Sequence, residues 1–240
     1  MKSEDQNTIR INKYLSSAGV CSRRDADRLT EAGRVTMNGK KIGTGERIPV
    51  DAVICLDGKP VEREEKEVLL LFYKPRGIVC STKKQRQETT VTEYIDYPTR
   101  IYPVGRLDMD SEGLLLLTND GVLAQGLLHP SHEVSKEYHV TVSGALENAA
   151  ERLARVRDVG GLPIRPAQVR LLRQDEGQAV FSIVIHEGRN RQIRRMCAQC
   201  GLKVQRLQRV REQQLRLGDL PLGKWRYLTE REVADLKNRA

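Results

Sequence analysis

A chain of 240 residues has room for one mid-sized domain and a small one, and its 4% aromatic and 30% charged residues indicate an aliphatic core beneath a polar surface. A formal net charge of +9 predicts a polyanionic partner, which the charge alone does not identify as RNA, DNA or an anionic lipid. The sequence lacks the roughly 20-residue apolar run that a membrane span needs, and its first residues, MKSEDQNTIR, lack the apolar core of a signal peptide. Its cysteines do not form the pattern of a disulfide framework, so we expect a cytoplasmic protein.

The N-terminal part of the chain predicts two short helices and a hairpin. INKYLSSAG (11–19) places apolar residues on one helical face and ends at a glycine. Ser22 and Asp25 have the spacing of a capping box at the start of a second helix. The alternating stretch that follows turns at Asn38 and Gly39, which is a strong hairpin signal. We therefore expect a compact small unit at this end of the chain.

The rest of the chain predicts a β-rich domain with helices between the strands. Continuous apolar runs indicate buried strands and alternating runs indicate half-buried ones: EVLLLFYKP (67–75), LLLLT (114–118), EYHVTV (137–142) and AVFSIVIHEG (179–188). Helices are predicted at about 120–128, 145–156 and 190–200. This mixture of elements favours an α+β fold.

Most of the excess positive charge falls in one stretch near the C-terminal end. Between positions 187 and 211 the single acid, Glu187, stands against eight basic residues: Arg189, Arg191, Arg194, Arg195, Lys203, Arg206, Arg209 and Arg211. In the helix predicted there, an apolar stripe lies on a different face from the arginines. Such a stretch is suited to contacting a polyanion, and it predicts binding that weakens steeply with salt.

The segment GRLDMDSEGLLLLTNDG (105–121) sets three acidic residues before a predicted buried strand. Asp108, Asp110 and Glu112 alternate as the first ligands of a calcium loop do, but Asn119 stands where such a loop needs its bidentate glutamate. A solvated turn is a second interpretation, because Asp and Ser favour turns. The third is a catalytic carboxylate, since nearby guanidinium groups such as that of Arg106 favour the ionised form that a nucleophile needs.

The N-terminal unit resembles a known RNA-binding module. The stretch RINKYLSSAGVCSRRDADRLTEAGRVTMNGKKI is similar to the S4 domain, whose two short helices present basic side chains to structured RNA. The resemblance implies that four residues contact RNA: Lys13, Arg23, Arg24 and Arg28. Judged from the charge pattern alone, a solvated helix face is an equally good interpretation of these residues.

Four further motifs resemble, in chain order, those of the RsuA/RluB/RluE/RluF family of bacterial ribosomal-RNA pseudouridine synthases. They are KPRG (74–77), GRLD (105–108), KEYHVTV (136–142) and EGRNRQIRRM (187–196). Together with the S4 resemblance they cover nearly the whole chain. The resemblance implies isomerisation of a flipped-out uridine to pseudouridine, without a metal or a cofactor.

The same resemblance implies roles for particular residues. Asp108 is the catalytic nucleophile, and Tyr138 stacks on the target base and helps to remove its C5 proton. Arg194 pairs with the aspartate, Ile193 packs under the base, and Arg106 helps to hold the flipped nucleotide. The arginines of the basic helix, Arg189, Arg191 and Arg195, are expected to bind RNA.

These observations predict a small S4 domain followed by a synthase domain with a large mixed, mainly antiparallel β-sheet. The expected boundaries are a polar tail at 1–7, the S4 domain at 8–62, a linker at 63–67 and the catalytic domain at 68–240. The motifs are most like the RluF type, which indicates 23S rRNA near the peptidyl-transferase centre as the substrate. We expect a monomer that acts on ribosomal RNA or a pre-ribosomal particle and has no membrane or small-molecule partner.

Three alternatives stay open at this point. The target uridine is in 16S rRNA, or the protein is a non-catalytic RNA-binding ribosome-assembly factor, or the helix pair is a DNA-binding helix-turn-helix. The last would need a dimer interface and base-reading side chains, for which the sequence offers no sign. A pure binder would have no chemical need for Asp108, Tyr138 and Arg194 together.

Other reactive residues have simpler structural interpretations. Lys74 precedes a proline at a strand end, which indicates a structural turn, so we leave it out of the catalytic set. Cys197 and Cys200 have metal-site spacing, but they lack a second pair and fall on the apolar helix face, which favours core packing. The histidines at 129, 132 and 139 lack a fourth ligand at suitable spacing, which favours surface or loop positions.

Overall fold

The computed structural model describes residues 8–62, 66–81, 87–128 and 134–238. These form two compact units, the first comprising the chain up to Val68 with Tyr97–Ile101 and Asn119–Gly121, and the second comprising the remainder. The predicted polar tail and residues 63–65 of the predicted linker lie outside the described residues. None of the helices in the described part of the chain has the length and apolar character needed to span a bilayer.

The first unit contains both helices and the hairpin that its pattern predicts. Its elements are β1 (Thr8–Arg10), α1 (Ile11–Ser17), α2 (Arg23–Glu31), β2 (Val35–Met37), β3 (Lys40–Lys41), β4 (Arg47–Pro49), β5 (Ile54–Leu56) and β6 (Lys59–Pro60). The four short strands β3, β2, β5 and β6 form one sheet in that order, and β1 pairs with β4. Their aliphatic core includes Ile11, Leu15 and Ile48, each with no exposed surface.

Local chemistry explains where these elements begin and turn. The hydroxyl of Ser22 accepts the backbone N–H of Asp25 at 3.2 Å and caps α2. Asn38 and Gly39 both have positive φ, at 49° and 81°, which is the backbone shape that a two-residue hairpin turn requires.

The second unit is built on one large sheet. Its elements are β7 (Leu69–Lys74), α3 (Val91–Ile95), β8 (Tyr102–Val104), β9 (Glu112–Thr118), α4 (Gly121–Leu127), β10 (Lys136–Gly144), α5 (Ala149–Arg155), β11 (Asp158–Val159), β12 (Leu162–Pro163), β13 (Gln168–Asp175), β14 (Gln178–Ile185), α6 (Gln192–Gln199), β15 (Leu202–Glu212), β16 (Leu215–Arg216), β17 (Trp225–Tyr227) and α7 (Glu230–Lys237). The main strand order is β13-β14-β10-β15-β9-β7-β17, with β16 beside β15 and β8 beside β9. Within the described residues β15 and β9 pair in parallel and the other pairs of this sheet are antiparallel. The predicted α+β class with a mixed, mainly antiparallel sheet is confirmed.

The strands predicted from apolar runs are present and buried along their whole length. Every residue of β7 and of β9 is buried, because the sheet is covered on both faces at this point. The two helices predicted at 145–156 and 190–200 are shorter than expected: α5 begins after Asn148 and α6 begins after Arg191. Each of these two residues has left-handed backbone geometry, with φ of 48° and 52°, which a helix interior does not accommodate.

The central strand β15 was not predicted. It runs for eleven residues between β10 and β9, and its basic residues suggest a phosphate-binding surface rather than a strand inside a sheet. Alternation along β15 divides these residues between the two faces of the sheet. Arg209 lies on the face that carries Tyr138, whereas Arg206 and Arg211 lie on the other and pair with Glu112 and Glu137.

The C-terminal helix α7 provides a test of stability against pH. Hydrogen bonds from Arg226 are the main reason why the pKa of Glu232 falls from 4.5 to about 2. Because the folded-state pKa is lowered, the stabilisation is present above pH 4.5 and is lost as the pH falls from 4.5 towards 2. We expect Glu232→Gln to reduce the free energy of unfolding at pH 7 by about 1 to 2 kcal/mol, since solvent screens a pair this near the surface.

Urea unfolding of both proteins at pH 7 and at pH 3 measures this effect. Glu230→Gln, an exposed position in the first turn of the same helix, is the control and should change stability far less. The difference between wild type and Glu232→Gln should shrink at pH 3. A difference that stays constant with pH would show that the ion pair does not stabilise α7.

Candidate active site

A cavity of about 790 Å³ opens in the second unit, on the face of the sheet that carries Tyr138. Its wall brings together residues that are far apart in the sequence. They are Cys80, Ser81, Tyr102, Pro103, Gly105, Arg106, Leu107, Asp108, Ser111, Leu128, Lys136, Tyr138, Ile185, Gly188, Arg189, Asn190, Arg191, Gln192, Ile193, Leu207, Arg209 and Glu212. The GRLD, KEYHVTV and EGRNRQIRRM motifs therefore meet at one site.

Asp108 lies at the start of a tight turn in this wall. The backbone N–H of Ser111 donates to the carbonyl of Asp108 at 3.0 Å, and the Asp108 side chain is 31% exposed. The backbone of this segment therefore forms the turn that one of the three interpretations predicts. This turn places the Asp108 carboxylate at the cavity, where a catalytic group would need to be.

Residues of the KPRG segment form hydrogen bonds with the backbone of this turn. The N–H of Gly77 donates to the carbonyl of Met109 at 2.8 Å, and Nε of Arg76 donates to the carbonyl of Asp110 at 3.2 Å. Lys74 is fully buried, and its Nζ donates to the carbonyl oxygens of Pro75 and Ser111 at 2.9 and 2.8 Å. Both of these bonds are to backbone oxygens, which supports a structural role for this lysine.

Burial changes the acidity of Lys74. Loss of hydration lowers the pKa of its ammonium group to about 8, against the opposing influence of Cys80, Asp108 and other acidic groups nearby. With a pKa of about 8 the ammonium group is mostly charged at neutral pH.

The arginines of the EGRNRQIRRM motif contact the acidic turn in an arrangement that differs from the one implied by family resemblance. Nη1 of Arg191 lies 3.7 Å from Oδ2 of Asp108, and both of its Nη atoms bond to Asp110, at 3.1 and 2.9 Å. Arg194, which was expected to pair with Asp108, instead lies 3.3 Å from Oδ2 of Asp110 and donates to the carbonyl of Asp110 at 2.9 Å. Arg191 has left-handed backbone geometry, with φ of 52°, and immediately precedes α6.

The other two carboxylates of the segment, Asp110 and Glu112, form ion pairs with arginines. Burial raises the pKa of Asp110, but its hydrogen bond with Arg191 and the charges of Arg194 and Arg191 outweigh burial and hold the pKa below its usual value. Glu112 is 6% exposed and accepts hydrogen bonds from Arg206 and from the Tyr73 hydroxyl. Arginine partners on both carboxylates exclude the calcium-loop interpretation, because calcium ligands need their oxygens free for the ion.

Tyr138 faces the cavity from β10. It is 8% exposed, and burial raises the pKa of its phenol above the usual value while the charge and hydrogen bond of Arg209 oppose the rise. The phenol is therefore protonated at neutral pH. A protonated phenol offers a stacking surface and a hydrogen bond, but it accepts a proton only if its own proton moves on.

Ile193 and Arg106 complete the set implied by the resemblance. Ile193 is 3% exposed at the start of α6, and Arg106 is exposed two residues before Asp108. Both line the cavity. A buried aliphatic surface, a carboxylate and an exposed cation are thus available to one bound nucleotide.

Several residues of the cavity wall were missed by the sequence analysis. Arg209, Glu212 and Lys136 are charged side chains in the wall, and Cys80 accepts the backbone N–H of Leu107 at its Sγ, at 3.3 Å. Arg209 stood among the basic residues that were assigned to phosphate binding. The apolar residues at 202, 204 and 207 were the available signal for a strand. Their alternation is interrupted by a β-bulge, which lies opposite Thr141 and Val142 of β10.

Comparison with known proteins identifies the family. A family model described as RNA pseudouridylate synthase matches residues 68–199, and the S4 domain model matches residues 9–54. The chain is 39% identical to the dual-specificity RNA pseudouridine synthase RluF of Escherichia coli O6:H1, over 95% of this chain and 78% of that protein. It is 40% identical to the ribosomal large subunit pseudouridine synthase B of Bacillus subtilis, over 95% of each chain.

The chain belongs to the RsuA/RluB/RluF family of RNA pseudouridine synthases. A solved structure of a pseudouridylate synthase agrees with it over 95% of this chain and 99% of that one, with a TM-score of 0.67 and 28% identity. The predicted family and the predicted class of enzyme, an isomerase that acts on RNA, are confirmed.

The cations expected to bind RNA are on the surface of this synthase. In the S4 unit Lys13, Arg23, Arg24 and Arg28 are all exposed, although Arg28 lies 3.5 Å from Asp25. In the second unit Arg189, Arg191 and Arg195 are exposed around the start of α6. The basic stretch as a whole does not surround the cavity, because Arg206 and Arg211 lie on the other face of the sheet.

Cys197 and Cys200 pack in the core as expected, whereas His139 lies half-buried within a strand rather than at a surface or loop position. Cys197 and Cys200 are 0% and 8% exposed in the core beneath α6, and burial raises the pKa of both thiols. His139 is half-buried on β10, on the face opposite the cavity, while His129 and His132 lie outside the described residues.

Proposed function

We propose that this synthase isomerises a uridine of 23S rRNA near the peptidyl-transferase centre, with Asp108 as the nucleophile. The observation that carries the proposal is the position of Asp108 in the wall of one cavity with Tyr138 and Ile193. The Bacillus subtilis relative, of which the chain covers 95%, is named for the large ribosomal subunit, and this supports the choice of substrate. The RluF relative is named dual-specificity, so a second RNA target deserves a search.

The reaction that this site supports is a redox-neutral isomerisation. A uridine within a stack must first be extruded, at a cost of a few kcal/mol that contacts to the RNA backbone offset. The N1–C1′ bond breaks, the uracil turns, and a C5–C1′ bond forms, so that C5 loses a proton and N1 gains one. The Asp108 carboxylate attacks either C1′ or C6, and both routes conserve atoms and electrons.

The uncharged side chains beside Asp108 are suited to holding the base. The Tyr138 ring and the Ile193 side chain provide surfaces against which a flat, detached uracil can turn without leaving the cavity. The exposed guanidinium of Arg106 is suited to binding an RNA phosphate or to filling the space that the flipped nucleotide leaves in the RNA. Because the Tyr138 phenol is protonated at neutral pH, we expect stacking to be its first role.

Pseudouridine mapping of total RNA tests this proposal. Carbodiimide treatment followed by primer extension over both ribosomal RNAs and the tRNA fraction would compare cells that carry the wild-type gene, Asp108→Asn, or no gene. We expect one primer-extension stop in 23S rRNA to disappear both in the Asp108→Asn strain and in the strain without the gene. A lost 16S stop would move the substrate to the small subunit, and identical stops in all three strains would favour a non-catalytic assembly factor.

The S4 unit should contribute affinity through phosphate contacts. We expect the double variant Lys13→Ala, Arg24→Ala to bind ribosomal RNA more weakly and to lower the slope of log Kobs against log salt by about 1 to 2. Arg34→Ala is the control, because Asp57 already neutralises Arg34 within the same unit. Filter binding at several salt concentrations measures both. An unchanged slope in the double variant would mean that these cations form a solvated surface only.

We also expect the synthase to work as a monomer in the cytoplasm, on ribosomal RNA or a pre-ribosomal particle. The proposed chemistry needs no small-molecule substrate, since both the bond broken and the bond formed belong to the RNA.

A further inference from the structure

Arg209 is a fully buried charged side chain in the wall of the cavity. It is 1% exposed, and it lies opposite Tyr138 in the pairing of β10 with β15. Burying an arginine costs several kcal/mol unless its charge and its donors are matched. Well-packed hydrophobic residues often replace buried ion pairs without loss of stability, so an arginine at this position is not required by packing alone.

Three strands hold this guanidinium. Its Nε donates to the carbonyl of Leu114 in β9 at 2.7 Å, and its Nη2 lies 3.2 Å from Oε2 of Glu212 in β15. From β10, Tyr138 lies directly opposite Arg209 on the same face of the sheet, and the phenol and the guanidinium influence each other's pKa. The guanidinium is thus bonded to the backbone of β9 and lies beside both the Glu212 carboxylate and the Tyr138 side chain.

The contact between Arg209 and Glu212 is incomplete. Arg209 Nη2 and Glu212 Oε2 are buried atoms without an aligned hydrogen-bond partner among the described residues, although they lie close together. Both residues line the cavity. One donor of the guanidinium is therefore left without an aligned acceptor, which is unusual for an arginine whose role is only to stabilise a fold.

We propose that Arg209 is a positioning residue for the isomerisation, which fixes the Tyr138 ring in the orientation against which the flipped uracil stacks. The proposal rests on the proposed function of the cavity. The ring of a tyrosine turns about two side-chain bonds, and a hydrogen bond at the phenol oxygen adds a second fixed point to the one at Cβ. Catalysis depends on such fixed orientations, since small displacements of reacting groups reduce rates strongly.

Arginine suits this task better than lysine. A planar guanidinium offers five donors in fixed directions, so it can donate to the Leu114 carbonyl while it lies beside Glu212 and Tyr138, whereas an ammonium on a flexible stem has no such fixed plane of donors. We therefore expect Arg209→Lys to restore only part of the function that Arg209→Met loses.

Release of tritium from ribosomal RNA labelled at uridine C5, taken from cells that lack the gene, measures the reaction. We expect Arg209→Met to lower kcat about 10- to 100-fold with little change in KM, and Arg209→Lys to lie between it and the wild type. Arg211→Met is the matched control, because that arginine lies in the same strand on the opposite face and pairs with Glu137. Thermal unfolding of each variant shows whether it is folded.

The decisive comparison is with Tyr138→Phe. If Arg209 acts through the phenol, adding Arg209→Met or Arg209→Lys to Tyr138→Phe should cause no further loss of kcat. If the two losses multiply instead, Arg209 acts independently of Tyr138 and the proposal is overturned.

A second measurement does not depend on activity. After incorporation of 3-fluorotyrosine, the fluorine NMR signal of Tyr138 is assigned by its absence from Tyr138→Phe. We expect this signal to shift or broaden in Arg209→Lys and to stay unchanged in Arg211→Met. An unchanged signal in Arg209→Lys would overturn the proposal. If the wild type releases no more tritium than Asp108→Asn, the proposed function fails, and the fluorine signal still decides whether Arg209 fixes the ring.

Discussion

Replacing Asp108 with asparagine is expected to abolish pseudouridine formation while leaving RNA binding intact. The amide has nearly the shape of the carboxylate but is a far weaker nucleophile. Losing an enzyme's nucleophile costs on the order of 10⁴- to 10⁶-fold in rate. We expect exposed cations elsewhere on the protein, by contrast, to make the contacts that bind RNA. Tritium release and filter binding on the same labelled ribosomal RNA measure the two properties separately.

Asp110→Asn is the matched control for this prediction. Asp110 lies two residues away on the same turn, with comparable exposure, but its carboxylate is held by Arg191 and Arg194. We expect this variant to lose about 10- to 100-fold in rate through a less ordered turn. An Asp110→Asn variant as inactive as Asp108→Asn, or an Asp108→Asn variant that retains a tenth of the activity, would refute the assignment of Asp108.

Replacing Gly113 with alanine is expected to have the largest effect on stability. Gly113 begins the apolar part of β9 with φ of +119°, and a Cβ added there would collide with the backbone N and O of Arg209 in β15. The backbone strain and the steric overlap each cost about 1 to 3 kcal/mol, so we expect the free energy of unfolding to fall by about 3 kcal/mol or more. Urea unfolding followed by circular dichroism measures it.

Gly177→Ala separates the two causes of this loss. Gly177 also has a positive φ, of +76°, at the turn between β13 and β14, but a Cβ there meets no atom within 4 Å. We expect a loss of about 1 kcal/mol from backbone strain alone. Equal losses for the two alanine variants would show that the close approach of β9 and β15 contributes nothing at Gly113.

Much of the fold followed from local patterns because local chemistry determines those features. The apolar runs at 69–74 and 114–118 require burial on both faces, and the Ser22 cap and the turn at Asn38 and Gly39 depend on residues within three or four positions of one another. The strand β15 was missed for a physical reason. One of its faces is solvated and the other contains a buried arginine, so its apolar alternation is weak and its charges resemble a phosphate-binding surface.

For the site, the residue pattern left three interpretations of Asp108 open, and the resemblance of the sequence to a known family indicated it as the candidate nucleophile and supplied the motifs that meet at the cavity. The tertiary structure decided which arginine meets which carboxylate: Arg191 approaches Asp108, Arg194 binds Asp110, and Arg209 lies in the wall beside Tyr138. These contacts join residues some 70 to 85 positions apart, and the pairing of β15 with β9 and β10 sets their distances. A local pattern of residue types carries no information on such pairings, because strand order depends on the packing of the whole sheet.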